Sequence, residues 1–363
     1  MSHPVSCTID LSAGSGKQVG ELRLPRGTSD GTFVSIPIAT IANGDGPAVL
    51  VSAGTHGDEY EGQIAARRLL AEVEPAQVSG RLIVIPTVSP EAAQTHSRFW
   101  PSGANFNRSF PGRLDGSPDE VLADYFTTTI FPLVDMIVEM HSGGSGSWID
   151  PCSHMCAVDD PAQRKAMLEA MEAWNSDIHF LYTAGDNFFP TIAQAQGKTI
   201  VTTELGGSGL IPRFVHELAW SGLTNVLRHF GVLEGEVVTR ASLGLVPARI
   251  FDARGADETV TELGSGLMDQ TRAPVSGISE ALVMPGETVE RGQPIARIWA
   301  FDAPSRPPVD VPTERTGLLL GMRARAFVTQ GEGLAFVGEP ITREALLAEL
   351  AARPAGGGAE VAA

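Results

Sequence analysis

In PAVLVSAGTHGDEYEG (47–62), an imidazole and a carboxylate stand three residues apart, His56 and Glu59 forming H-x-x-E. An apolar β-type run precedes the pair, a Gly/Thr turn carries it and a helix-forming segment follows. Both side chains can therefore converge on one ion, as in the His₂Glu sets that hold catalytic zinc and leave the fourth position to water or substrate. H-x-x-E alone arises by chance in many soluble chains, so a third ligand is needed. His141, in IVEMHSGGSG, ends an apolar strand and precedes a Gly/Ser turn that lets a substrate approach. Its separation from Glu59, 141 − 59 = 82 residues, completes the short-plus-long spacing usual for such sites. Each residue alone reads equally well as a core-lining polar group; the three together predict one Zn2+ per chain.

Chemistry also needs a base. Glu204, in VTTELGGSG, sits at a strand end with glycines after it. A carboxylate beside a metal-activated water can take its proton and later pass it to a leaving amine. The segment SRFWPSGANFNRSFPG brings Arg98, Asn105, Asn107 and Arg108 into one Gly/Pro/Asn-rich loop, and loops at a sheet's mouth commonly bind ligands. One guanidinium can grip a substrate carboxylate bidentately and another can stabilise the oxyanion of a tetrahedral intermediate. Pinning the loop is the alternative role, and it suits Arg98 better than Arg108. Asp58 and Glu139 are candidate acceptors for the ligating histidines' free N–H groups, Glu139 sharing a strand face with His141. Cys152, His154 and Cys156 form C-x-H-x-C, which could also hold metal but, on no recognisable knuckle, more often lines a pocket or core.

These residues need a scaffold. Segments 33–41, 48–53, 81–88, 136–141 and 199–204 are short, apolar and β-branched, and 59–73, 118–131, 161–174 and 216–230 are helix-like. The alternation predicts an α/β unit with a largely parallel sheet, whose ligands bind beyond the carboxyl ends of the strands. His56, His141 and Glu204 all fall there. After residue 240, 272–298 and 316–338 read as short strands between Gly turns, and PGETVERGQPIARI resembles half of a biotinyl/lipoyl-type barrel. No lysine follows Lys198, so that part carries no biotin or lipoate. The expected division is a catalytic domain over 1–240, a β-rich domain over 241–340, and a short helix with a disordered tail over 341–363. The Pro-rich stretch 303–312 reads as a surface loop.

The chain has 363 residues, 43 Asp+Glu and 26 Lys+Arg, a net charge of −17 that argues against nucleic acid or an anionic membrane as partner. No run of about 18 apolar residues predicts a membrane span. The N-terminus lacks the basic and apolar regions of a signal peptide, and three cysteines make no disulfide framework. A cytoplasmic location is expected, and nothing excludes a homo-oligomer.

In the order HGDEYEG, NFNRSFPG, HSGG and TTELGG, the chain resembles the succinylglutamate desuccinylase/aspartoacylase family, relatives of the zinc carboxypeptidases, over roughly residues 30–340. The resemblance implies a zinc-carboxypeptidase-like, mostly parallel twisted sheet flanked by helices, with a smaller, barrel-sandwich-like β part at the C-terminus. It implies His56, Glu59 and His141 as zinc ligands and Glu204 as general acid/base. It also implies Asn107 and Arg108 as the grip on a substrate carboxylate, with Arg98 polarising the scissile carbonyl. Further shared phrases, among them FPGR-x-DG, LTNVLRHFG and GQPIARI, imply N-acetyl-L-2,4-diaminobutyrate, an intermediate of ectoine breakdown, as substrate. The stretch after HSGG, GSGSWIDPCSH, departs from the family pattern. The reading is a zinc-dependent hydrolase of a small N-acyl amino acid. Its rivals are a deacylase for another N-acyl amino acid, a carboxypeptidase acting on peptides, and a non-catalytic binding protein.

Overall fold

The computed structural model describes residues 3–26, 31–158, 160–183, 185–254 and 270–351. Its centre is the strand Ala48–Ala53, buried at every position. Such burial follows from parallel neighbours on both sides and cover on both faces. Ala48–Ala53 pairs in parallel with Gly80–Ile85 and with Met136–His141, and Met136–His141 pairs in parallel with Thr199–Gly207. Beyond Gly80–Ile85 the sheet continues through the antiparallel strands Phe33–Asn43 and Ser15–Pro25.

On the other side, Ser147–Cys156 runs antiparallel to Thr199–Gly207 and is followed by Ile178–Tyr182 and Arg249–Asp252. Gly333–Ile341 pairs with Arg249–Asp252, and Gly317–Arg323 pairs both with Gly333–Ile341 and back to Ser147–Cys156. The ladder thus closes into a barrel-like circuit with a common core of Ile149, Phe180, Phe251, Leu320 and Phe336. Strands from the C-terminal third are therefore continuous with the sheet that carries the strand-end residues. A separate four-stranded sheet is formed by Gly277–Ala281, Pro294–Trp299, Val309–Pro312 and Phe327–Val328.

The α/β expectation holds, but the expected mostly parallel sheet does not. Only its middle is parallel, the side through Phe33–Asn43 and Ser15–Pro25 is antiparallel and the other side is mixed, because antiparallel strands extend the parallel centre. Helices Glu61–Glu72, Pro161–Ala173 and Arg213–His229 cover one face over Val49, Val51 and Val138. Helix packing there is close, since a Cβ on Gly222 would meet the buried Trp174 ring at 2.5 Å. The other face carries Phe106, Phe110, Phe126, Phe131 and Phe189, rings in edge-on and stacked contact 5.0–6.2 Å apart. The helix Pro118–Tyr125 begins as its sequence predicts, with Pro at its first position and a Ser117/Glu120 capping box.

Among the described residues, the strands Ser6–Cys7, Ser15–Pro25, Ser147–Cys156, Ile178–Tyr182 and Arg249–Asp252 escape the sequence pattern. Val309–Pro312, expected in a loop, pairs with Pro294–Trp299, because Val309 and Val311 alternate with a charged residue as one-sided strands do. The helix Arg343–Ala351 matches the expected short helix, and the tail beyond it lies outside the described residues. No helix among the described residues is long and apolar enough to cross a membrane.

Candidate active site

His56 and Glu59 lie on the turn between Ala48–Ala53 and Glu61–Glu72, one residue of which, Tyr60, precedes the helix. The turn is tight because Gly57 abuts backbone: a Cβ there would lie 2.2 Å from the carbonyl carbon of Ala92. The Gln63 amide ties it down, donating to the carbonyls of Gly57 (3.1 Å) and Glu59 (3.0 Å). His141 ends its strand in register with Glu204 on the neighbouring parallel strand, so both side chains arrive at the same level of the sheet's carboxyl edge.

His56 Nδ1 lies 2.7 Å from Glu59 Oε1, and His141 Nδ1 lies 2.7 Å from Glu59 Oε2. One ligand atom from each of the three buried residues lies within 4.8 Å of the others. Behind the rings, His56 Nε2 is 3.0 Å from Asn105 Oδ1, and His141 Nε2 approaches Glu139 Oε1 to 2.9 Å as an ion-pair contact. With a cation bound, protons on the Nε2 atoms would leave both Nδ1 lone pairs free to ligate beside the Glu59 carboxylate. Two lone pairs and a carboxylate converging in a buried site form a donor set that a divalent cation fits. Burial, with Arg98 behind it, pushes His56 down to about 3. At His141 burial acts the same way but is outweighed by the Glu139 and Glu59 charges, which raise it.

Glu139 thus stands where the sequence put it, whereas Asp58 does not. Asp58 faces neither histidine; its Oδ2 accepts from Ser145 N (2.8 Å) and Ser145 Oγ (2.7 Å). The residue that backs His56 is Asn105, whose Oδ1 also accepts from the Asn107 amide at 3.2 Å. The N-x-N spacing that caps the Phe106–Arg108 turn was the available signal, but sequence alone places no histidine beside it.

The loop is anchored from behind. Phe106 is wholly buried and stacks on Trp100 at 5.7 Å. Trp100 Nε1 donates to Ser89 Oγ (2.6 Å), which donates to the Thr55 carbonyl (2.8 Å) beside His56. Arg98, Asn107 and Arg108 consequently line the same inner pocket as His56, His141, His154, Tyr182 and Glu204, a cavity of about 40 Å³. Arg98 Nη1 donates to Glu59 Oε1 at 2.7 Å. Asn107 Oδ1 accepts from the Phe189 amide at 3.2 Å. Arg108 lies over the Phe188 ring at 4.7 Å, and burial plus the Arg98 charge push it down to about 10. Glu204 is pushed up to about 8, first by burial and then by the Glu59 charge. His154 Nε2 stands 4.0 Å from Glu204 Oε1, with the ring stacked on Phe180. The C-x-H-x-C residues therefore line pocket and core, as read. An outer chamber of about 420 Å³ shares Arg98 and Glu204 and adds Asp58, Ser145, Arg323 and Arg325.

A strand-end His/Glu/His cluster, a carboxyl shifted upward beside it and two arginines facing both define a hydrolase site of the acyl-transfer kind. The model of the succinylglutamate desuccinylase/aspartoacylase catalytic domain matches residues 45–230, and the chain belongs to that family. It is 34% identical over 93% of its length to the N-alpha-acetyl-L-2,4-diaminobutyric acid deacetylase of Halomonas elongata, 96% of which is covered. Among solved structures, the product-bound ectoine utilization protein EutE (DoeB) of Ruegeria pomeroyi superposes with a TM-score of 0.84. That protein is 33% identical, with 93% of this chain and 100% of the other covered. A succinylglutamate desuccinylase/aspartoacylase of Rhodobacter sphaeroides gives 0.84 at 32% identity, covering 93% and 99%.

Proposed function

We propose that the protein is a zinc-dependent deacylase that hydrolyses the amide of a small N-acyl amino acid, N-acetyl-L-2,4-diaminobutyrate being the substrate its relatives suggest. The observation that carries this reading is the convergence of His56 Nδ1, Glu59 and His141 Nδ1 beside Glu204, a partly buried glutamate whose Oε2 is buried with no hydrogen-bond partner. Zinc is the ion that His₂Glu sets of hydrolases hold, and when bound it supplies Lewis acidity toward water and toward the amide carbonyl.

The chain's own residues do the rest. Asn105 and Glu139 keep the two imidazoles oriented. Glu204 takes a proton from the attacking water and returns it to the departing amine, a cycle that suits a carboxyl shifted toward neutrality. Arg98, within reach of the cluster, faces the charge that develops on the carbonyl oxygen. Arg108, with Asn107 beside it, binds the substrate carboxylate: it is a half-buried cation with no carboxylate partner among the described residues. The inner pocket of about 40 Å³ has room for a small anionic group, and the deacylase reading is preferred to a carboxypeptidase on the strength of the relatives named above.

The test is incubation with N-acetyl-diaminobutyrate, other N-acetyl amino acids and a dipeptide, followed by detection of released amine. Release from the N-acetyl amino acids and not from the dipeptide is expected. Preferential dipeptide cleavage would establish a peptidase instead, and no release from any of them would leave a binding protein.

A further inference from the structure

Asp58 is a buried carboxylate that the catalytic scheme leaves unused. It is 5% exposed, and its Oδ1 is buried with no hydrogen-bond donor. Its Oδ2 is held by the amide and hydroxyl of Ser145. Among the described residues it makes no ion pair; the nearest guanidinium on this network, Arg325 Nη2, stops at Ser145 Oγ (2.8 Å). A buried carboxylate oxygen without a donor is costly unless a ligand supplies one.

The surroundings are shaped around that carboxylate. Gly144, in the left-handed region at φ +55°, covers it so closely that a Cβ would lie 2.7–2.9 Å from its carboxyl atoms. A side chain at position 144 is thereby excluded, and Ser145 of the same loop holds only Oδ2, so Oδ1 is left without a donor. Asp58 lines the outer chamber together with Arg98 and Glu204, the two residues shared with the inner pocket.

An N-acyl amino acid carries three groups on its α-carbon besides hydrogen. With the acylamide at the His/Glu/His cluster and the carboxylate on Arg108 in the inner pocket, the side chain is left the outer chamber. We propose that Asp58 determines specificity there by pairing with a cationic amine on the substrate side chain; this rests on the deacylase reading above. An ammonium offers three donors and a full positive charge to the Asp58 carboxylate. A neutral side chain leaves it unpaired, and an acidic one would be drawn instead to the arginines of the chamber, Arg98, Arg323 and Arg325.

The experiment compares kcat/KM of the full-length metal-loaded protein on Nα-acetyl-2,4-diaminobutyrate and on Nα-acetylnorvaline, in which a methyl replaces the ammonium. Wild type should prefer the cationic substrate by about 30-fold or more, the usual worth of a desolvated charged hydrogen bond. Asp58→Asn retains an oxygen for Ser145 but no charge, and should bring the ratio close to one. A second readout, calorimetric binding of 2,4-diaminobutyrate itself, should weaken in Asp58→Asn by a similar factor. A ratio unchanged by the substitution, with both substrates falling together, would make Asp58 a positioning residue for the Ser145 loop and overturn the proposal. So would a wild type that does not prefer the cation. If no amine is released from either substrate, yet the diamine binds wild type and not Asp58→Asn, the assignment of Asp58 stands and the deacylase reading falls.

Discussion

Replacing Arg108 with alanine tests the substrate grip directly. The guanidinium is half-buried, lies over the Phe188 ring at 4.7 Å and is depressed to about 10 by burial and Arg98. It remains a cation at neutral pH, and no carboxylate among the described residues neutralises it. A protein that holds such a charge without a partner beside a small pocket is complementary to an anion it does not itself contain. Removing one partner of a desolvated charged hydrogen bond costs about 2–5 kcal/mol, or roughly 30- to several-thousand-fold in kcat/KM. Arg108→Lys should recover only part of this, because an ammonium cannot form the two parallel bonds of a guanidinium. The side-chain change leaves the loop's other tie intact, since Asn187 bonds to the Arg108 backbone carbonyl at 2.9 Å. The assay is kcat/KM on a free-acid substrate and on its α-carboxamide. Wild type should discriminate strongly against the amide, and Arg108→Ala should abolish that discrimination. Equal hydrolysis of acid and amide by wild type would refute the reasoning, and Arg108 would then be a stabiliser of the loop or of the oxyanion.

Glu204→Gln, nearly isosteric but unable to take a proton, should keep metal and substrate binding while losing about 10²–10⁴-fold in kcat; turnover near the wild-type rate would remove Glu204 from the mechanism. Glu139→Gln and Asn105→Ala each disturb the acceptor behind a histidine and should weaken metal affinity by about 10–100-fold in a chelator-competition titration; unchanged affinity would mean the rings are held by packing alone. Stability should fall as the solution is acidified, because burial, reinforced by Arg240, pushes His179 from 6.5 down to about 3. Between those values the unfolded chain takes up a proton that the native state refuses, so the stability is full above 6.5 and is lost across that window, at up to about 1.4 kcal/mol per pH unit. His179→Asn should flatten the slope of unfolding free energy between pH 6 and pH 5 by about that amount; an unaltered slope would place the acid sensitivity elsewhere.

What was legible in the sequence is what local rules determine. A residue at i+3 in a strand-to-helix turn must stay near residue i, so His56 and Glu59 could be paired on spacing alone. A polar residue after an apolar parallel strand must emerge at its carboxyl edge, which put His141 and Glu204 on the same side of the sheet. Ser147–Cys156 was not legible, because its Asp150, Pro151 and Ser153 break any apolar alternation. It is a strand only because Thr199–Gly207, Ile178–Tyr182 and Gly317–Arg323 all pair with it. Asp58 was misplaced for the converse reason: nearness in sequence to two ligands suggested a histidine partner, whereas the turn directs it to Ser145. Asn105 acquires its role from a loop folded back by Phe106 and Trp100, a long-range arrangement that its neighbours do not encode.

The central claim, that His56, Glu59 and His141 hold one zinc ion on which hydrolysis depends, is tested most directly by the zinc content of the purified chain by elemental analysis. Wild type should carry close to one zinc per chain, and His56→Ala and His141→Ala should carry far less while their circular dichroism stays that of the native fold. Stoichiometric zinc in both variants would contradict the account.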